Sequence, residues 1–400
     1  MSTYTHAQPR PLGGPVLAGP VMKGLAGLAA LGVGVMIWRL MAGLGAVTAL
    51  NDGYPWGIWI AFDVVTGTAL ACGGYAIALM VYILNRGQYH PLVRPALLTS
   101  AAGYTLAGLS IVLDVGRPWL TWKVPLYFWS WNLNSALLEV ALCIMAYIVV
   151  LQVELAPVYL EQARESRIPR LRALAERALP WFGKAMPWIV ALGLLLPTMH
   201  QSSLGSLMML AGPRVHGLWW TPWLPFLFLV SCMTMGYAAV VFESTLSARL
   251  FGRPQETRML GSLSGVIAIT VALYLGVRLS DLAWRGKLGL AAAFDLPAVM
   301  FLLEMALFAA PLLILASARR RERPASLFAA GMLLMLGGGV YRFDTYLVAF
   351  NPGPQWSYFP SVPEQLMTLG VVALEILGYV FVVRRFPILG GMPAAPAARS

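Results

Sequence analysis

Ten stretches of this sequence run for about twenty residues or more with few charges, and no other feature limits the fold so tightly. A helix that crosses a bilayer needs about 20 mostly apolar residues. The stretches are Val21–Leu50, Gly57–Leu84, Pro95–Val115, Asn132–Leu155, Trp181–Leu204, Pro222–Leu246, Met259–Leu279, Phe294–Ala318, Ala325–Phe350 and Pro363–Val383. They are long, rich in Leu, Ala, Met and Gly, and lack period-two alternation, which argues for helices rather than barrel strands. Composition agrees, with 59% hydrophobic and 11% charged residues, where soluble domains carry about 25% charged. The sequence therefore predicts an all-α polytopic membrane protein of about ten spans. An N-terminal tail covers residues 1–20, the helical domain 21–386, and a second tail 387–400.

The net charge of +11 points to basic membrane-flanking loops and away from nucleic acid. With the N-terminus placed inside, twenty Lys and Arg fall on the inner side. Only six (Arg117, Lys123, Arg214, Arg278, Arg285 and Lys287) fall outside, and Arg39 and Arg342 lie within spans. The positive-inside rule then puts both termini in the cytoplasm. Aromatic residues crowd the outer ends (Tyr54, Trp56, Trp59, Trp119, Trp129, Trp131, Trp219, Trp220, Trp223), as an interfacial belt does. The first span is too long for a signal h-region and reads as a retained anchor. The loop Pro157–Pro180 is the one long inner connection, readable as an amphipathic helix on the inner leaflet or as a solvated linker. The outer loops carry few charges and many Pro, Gly and aromatic residues, which suits a face covered by another protein.

Cys72, Cys143 and Cys232 each fall within a span and share no ligand spacing, so small apolar packing is their expected role. Of the four histidines, His6 lies in the tail, His90 and His216 in loops, and only His200 in a span. A bis-histidine haem needs a pair at matching depth, so no haem is expected, and no metal-ligand cluster is present. Nucleophile elbows and phosphate-binding glycine loops are also absent, and the chain does not read as a stand-alone enzyme. Ionisable residues inside apolar spans are costly and read by default as working groups. Here they include Asp63, Tyr104, Asp114, Glu139 and Glu243, flanked by Arg94 and Arg117.

The blocks NDGYPWGIWIAFD, NRGQYHPLVRPALL, GYTLAGLSIVLDVGRPW, LPTMHQSSLGSLM and LVAFNPG followed by YFP are spread over nearly the whole chain. In these blocks it resembles the HybB-type membrane subunits of respiratory NiFe-hydrogenases, a branch of the NrfD/polysulfide-reductase membrane family. The resemblance implies a complex in the bacterial inner membrane. NiFe large and small subunits and a ferredoxin-like iron–sulfur subunit would sit on the periplasmic face. This chain would anchor them and pass electrons to menaquinone or ubiquinone. It also implies two four-helix bundles, here residues 57–204 with the quinone and 222–350, leaving the first and tenth spans as extras.

With quinone in view, Trp59, Asp63, Asp114, Arg117, Trp131, Asn134 and His200 form the expected head-group site near the outer face. Asp114 and Arg117 are a candidate ion pair, structural or functional. Arg94, Tyr104, Glu139 and Glu243 form an expected proton relay from the cytoplasm, with Glu139 its central member. Glu304, Arg342, Asp344 and Glu375 read as buried structural pairs, and Arg39 requires a partner the sequence does not name. Three rival readings remain open. One is a same-family subunit serving a periplasmic molybdopterin enzyme, another a purely structural anchor, and the third a secondary transporter, which would show inverted repeats that the sequence lacks.

Overall fold

The computed structural model describes residues 9–390; His6, Arg399 and the outer parts of both predicted tails lie outside them. Ten helices are long and apolar enough to span a membrane. They are α1 Gly19–Ala42, α2 Trp59–Ile83, α3 Gly87–Asp114, α4 Ala136–Arg164, α5 Pro169–Leu210, α6 Leu224–Leu250, α7 Thr257–Trp284, α8 Leu296–Leu315, α9 Pro324–Val348 and α10 Val362–Arg385. Both described chain ends lie at one end of the bundle, called here the terminal face. The α1–α2, α3–α4, α5–α6, α7–α8 and α9–α10 connections make the opposite face.

Two spans lie at the centre. The apolar windows of α2 and α6 are the most fully enclosed by protein, that of α3 comes next, and the other spans present broad apolar faces outward. The α2–α6 contact is close because Gly236 meets the Cys72 carbonyl, where a Cβ would lie 2.5 Å from the oxygen. Small residues at such crossings let backbones approach where lipid gives no hydrophobic drive. Gly32 and Gly370 do the same between α1 and α10, backbone against backbone. The outermost spans are therefore one packed pair, and α10 also packs on α2 and α3.

Helix α2 is not regular. Residues Trp59–Thr66 and Leu79–Ile83 are wound as π-helix, as are Asp344–Val348 at the end of α9. Wider winding loosens the carbonyl ladder, and Arg342 of α9 uses this. Its guanidinium donates to Val65 O of α2 at 3.0 Å and to Phe228 O of α6 at 2.7 Å. This buried arginine thus joins three spans through backbone oxygens, not through Asp344.

Three expectations change. The loop Pro157–Pro180 is neither a linker nor a surface helix. Helix α4 runs on to Arg164, and α5 begins at Pro169 and continues unbroken for 42 residues, about 63 Å at 1.5 Å per residue. Arg278, counted on the outer side at the end of its predicted span, is buried inside α7, with Glu304 of α8 beside it. Its removal leaves five basic residues on the side opposite the termini. Finally, residues 387–390 are packed rather than tail-like. Ile388 and Leu389 are fully buried, and Arg94 donates to Pro387 O at 3.1 Å.

Candidate functional site

Asp63 lies one turn into the π-wound start of α2, almost wholly buried. Its Oδ2 accepts from Ser110 of α3 at 3.4 Å and Thr368 of α10 at 3.2 Å, and Oδ1 has no partner among the described residues. No arginine or lysine pairs with it. Trp59, one turn nearer the opposite face, is buried and donates through Nε1 to Glu364 O at 3.1 Å. The Glu364 carboxylate closes the start of α10 as a capping box. It also accepts from Ala49 N at 2.9 Å and Tyr358 Oη at 2.7 Å.

At the end of α3, Asp114 is half-buried with Oδ1 unpartnered among the described residues. The expected pair with Arg117 does not form. The chain leaves the helix at Val115 in an extended conformation, which carries Arg117 out to an exposed position. The cation near Asp114 is instead Arg39 of α1, whose guanidinium donates to Leu113 O at 2.5 Å and Val115 O at 2.6 Å. These are carbonyls left free at a helix C-terminus, a natural seat for a cation. The partner the sequence did not name is thus backbone.

A second cluster lies deeper, on another side of α3. Tyr104 follows Gly103 by one residue and so points about 100° away from it. Its hydroxyl contacts Cys72 Sγ at 3.3 Å, His200 Nδ1 at 3.4 Å and Gln201 Nε2 at 3.5 Å. Gln201 also donates to Thr68 Oγ1 at 3.1 Å. His200 Nε2 and Gln201 Oε1 are each buried without a partner among the described residues, while His200 Nδ1 and Gln201 Nε2 lie 3.3 Å apart.

The remaining predicted residues do not converge on these clusters. Trp131 donates to Val124 O at 2.7 Å within its own loop, and Asn134 is exposed before α4. Glu139 is half-buried in the first turn of α4. Arg94 pairs with Glu161 at 2.8 Å at the terminal face. Glu243 of α6 is held by Thr99 of α3 at 2.8 Å and Tyr379 of α10 at 2.7 Å. Sequence reasoning missed Ser110, Thr368 and Gln201. Hydroxyls and amides are common in spans, and nothing in one dimension shows which of them meet a carboxylate. Among the described residues no three His, Cys, Asp or Glu side chains cluster as a metal site.

Comparison with known proteins adds identity to this geometry. The family model "Polysulphide reductase, NrfD" matches residues 46–349. The chain is 44% identical, over 95% of both chains, to a protein of Escherichia coli named "Probable Ni/Fe-hydrogenase 2 b-type cytochrome subunit". It is also 30% identical to the "Menaquinone reductase, integral membrane subunit" of Nitratidesulfovibrio vulgaris, over 88% of this chain and 87% of that one.

The first of these names corrects the expectation of no haem, since the relative is called a b-type cytochrome subunit. His200, fully buried within α5 and unpartnered at Nε2 among the described residues, is the residue that would ligate the iron. A second histidine at matching depth is not found among the described spans, so the donor set meets half of what bis-histidine ligation needs. A reduced-minus-oxidised spectrum of His200→Ala beside the parent reads that ligation directly. Matched over three quarters of its length and at 44% identity over nearly all of it, the chain belongs to the NrfD family of membrane subunits.

Proposed function

We propose that this protein is the membrane anchor and quinone-reactive subunit of a periplasm-facing hydrogenase. Hydrogen oxidation at a NiFe large subunit yields two electrons and two protons. The electrons pass through iron–sulfur partners, a small subunit and a ferredoxin-like subunit, and reduce one quinone, which takes up two protons to become the quinol. The single observation that carries this reading is Asp63, a carboxyl buried in a span and held only by hydroxyls. Such a group can give a proton to a quinone oxygen and be recharged, whereas an arginine partner would hold it as an anion. The family relationship, with a hydrogenase subunit and a menaquinone reductase subunit among its relatives, supports the same reading.

The opposite face is then periplasmic and both termini cytoplasmic, in the bacterial inner membrane. The excess of basic residues at the terminal face supports this orientation. Trp59, Asp63 and Asp114 stand at the periplasmic end of α2 and α3, and Gln201 lies deeper in with an unpartnered amide oxygen among the described residues. These residues form the proposed head-group region. Trp131, Asn134 and Arg117 belong to the loop above it, where a partner subunit would dock.

The test is hydrogen-dependent quinone reduction in membranes with and without this chain, with a soluble dye as the control acceptor. Loss of quinone reduction with dye reduction retained places the chain between hydrogenase and quinone. Retention of both removes it from that path.

A further inference from the structure

Helix α3 runs from the terminal face outward and α10 returns beside it, and the positions along which they face each other keep step. Along α3 these positions are Thr99, Gly103, Ser110 and Asp114, separated by four, seven and four residues. Along α10 they are Tyr379, Glu375, Thr368 and Glu364, with the same steps in reverse. Steps of four, seven and four keep one helical face, so the two sets form a seam about 22 Å long, within a hydrocarbon core of about 30 Å.

Each level of the seam is joined across. Thr99 and Tyr379 both hold the Glu243 carboxylate, at 2.8 and 2.7 Å. Ser110 and Thr368 both hold Asp63 Oδ2. Between them, Glu375 lies against Gly103, where a Cβ would be 3.1 Å from Glu375 Oε1. Asp114 and Glu364 are electrostatic neighbours at the far level. Glu375 is in turn within electrostatic reach of both Glu243 and Asp63, and no salt bridge ties any of the three.

Below Glu243 a cavity of about 10 Å³, the room of one water, is lined on one side by Glu243, Ser244, Ser247, Arg253 and Glu256 and on the other by apolar residues of α3 and α6. Ser244 Oγ donates to Glu256 Oε2 at 3.2 Å, and Glu256 is partly exposed at the terminal face. Arg253 closes the rim, donating to Gly390 O at 2.8 Å and to Ser247 Oγ at 3.1 Å.

We propose that this seam conducts the quinone's protons, with Glu375 of the tenth span as the carrier between Glu243 and Asp63 and the Glu256 cavity as the entry. The inference rests on the quinone-reducing reading above and names the source and path of its protons. Each carboxyl takes one proton from the terminal-face side and releases one toward Asp63, twice per quinone, with no change of oxidation state in the seam. Hydroxyls of Thr99, Tyr379, Ser110 and Thr368 both donate and accept, so they can pass protons between levels. The step from Glu375 to the Asp63 level, about 10 Å along the helix, is longer than a hydrogen bond and has to be bridged by water. The tenth span is then part of the machinery rather than an extra.

The experiment compares the parent complex with Glu375→Gln, Glu375→Asp and Tyr379→Phe in sealed vesicles, reading dye reduction, quinone reduction and proton uptake from the terminal-face side. Glu375→Gln is expected to keep dye reduction, lose quinone reduction at least tenfold, and lose proton uptake in proportion. Glu375→Asp should recover part of the rate with a larger solvent deuterium effect, which a packing role would not produce. Quinone reduction and proton uptake at parent rates in Glu375→Gln overturn the inference. If that variant fails to assemble, Tyr379→Phe decides: a slowed rate with a raised deuterium effect supports the seam, and a parent rate overturns it. Failure of the underlying reading looks different, because quinone reduction then survives deletion of the whole chain.

Discussion

The seam between α3 and α10 and the polar knot among α7, α8 and the α5–α6 connection solve the same problem in opposite ways. Both put carboxylates inside spans, where an uncompensated charge is costly. In the knot everything gathers at one depth. Glu304 accepts from Tyr274 at 2.7 Å and Trp219 Nε1 at 2.9 Å, and Arg278 lies 3.6 Å away. The charge is matched, and Arg278 and Glu304 are fully buried. In the seam, carboxylates are spread along the membrane normal, with Asp63 and Glu243 bonded to hydroxyls and none in a salt bridge among the described residues. A matched knot fixes helices in place. An unmatched series costs stability and makes sense only where protons must move. Acidic residues in a span are therefore not of one kind, and their partners, more than their depth, tell the kinds apart.

The sharpest way to break this contrast is to remove the knot's cation. Arg278→Met should destabilise the protein by about 3–5 kcal/mol, the usual cost of leaving one buried charge unpaired, and should be read as lost yield and a lowered Tm in detergent. If instead the variant is stable and only quinone reduction falls, the knot is functional and the contrast collapses. Of comparable size is Arg39→Met, which strips two charge-assisted bonds from the end of α3, each worth about 1.5–3 kcal/mol. A lower Tm with the quinone rate of the surviving protein largely kept is expected.

Asp63→Asn reverses the pattern. The amide oxygen can still accept from Ser110 and Thr368, so Tm should hold within the shift of about 1 kcal/mol while quinone reduction drops at least tenfold, about 1.4 kcal/mol in the barrier. Equal losses in Tm and rate would make Asp63 a packing residue. The smallest effect belongs to Arg117→Gln. Exposed and free of Asp114, it should change Tm by no more than about 0.5 kcal/mol and the quinone rate of the assembled complex less than twofold. A tenfold loss would return Arg117 to the head-group site.

Glu139 and Glu375 show where reading the sequence stopped. Both are single acids in apolar runs, and depth alone favoured Glu139 as the relay's centre and made Glu375 a structural residue. The structure gives Glu139 a half-exposed place in the first turn of α4, and sets Glu375 between two other carboxylates against a glycine. Likewise Arg278, counted among the outer-side cations from its place at a span end, proved to be buried because a glutamate on the next helix neutralises it. A span such as α7 is apolar nearly all round, so no polar stripe marks which face turns inward.

What the sequence determined by itself was the number of spans, their helical nature, the asymmetry of basic charge and the list of polar residues that had to be accounted for. All follow from composition and run length, which a bilayer reads directly. What only the tertiary structure decided was which of those residues meet. The four-seven-four spacing is present in α3 and again in α10, 250 residues apart, but it becomes a seam only when close glycine packing of α1 on α10, and of α10 against α3, sets two antiparallel helices in that register. A linear pattern carries depth along each helix; partner, rotation and register arise from packing among all ten.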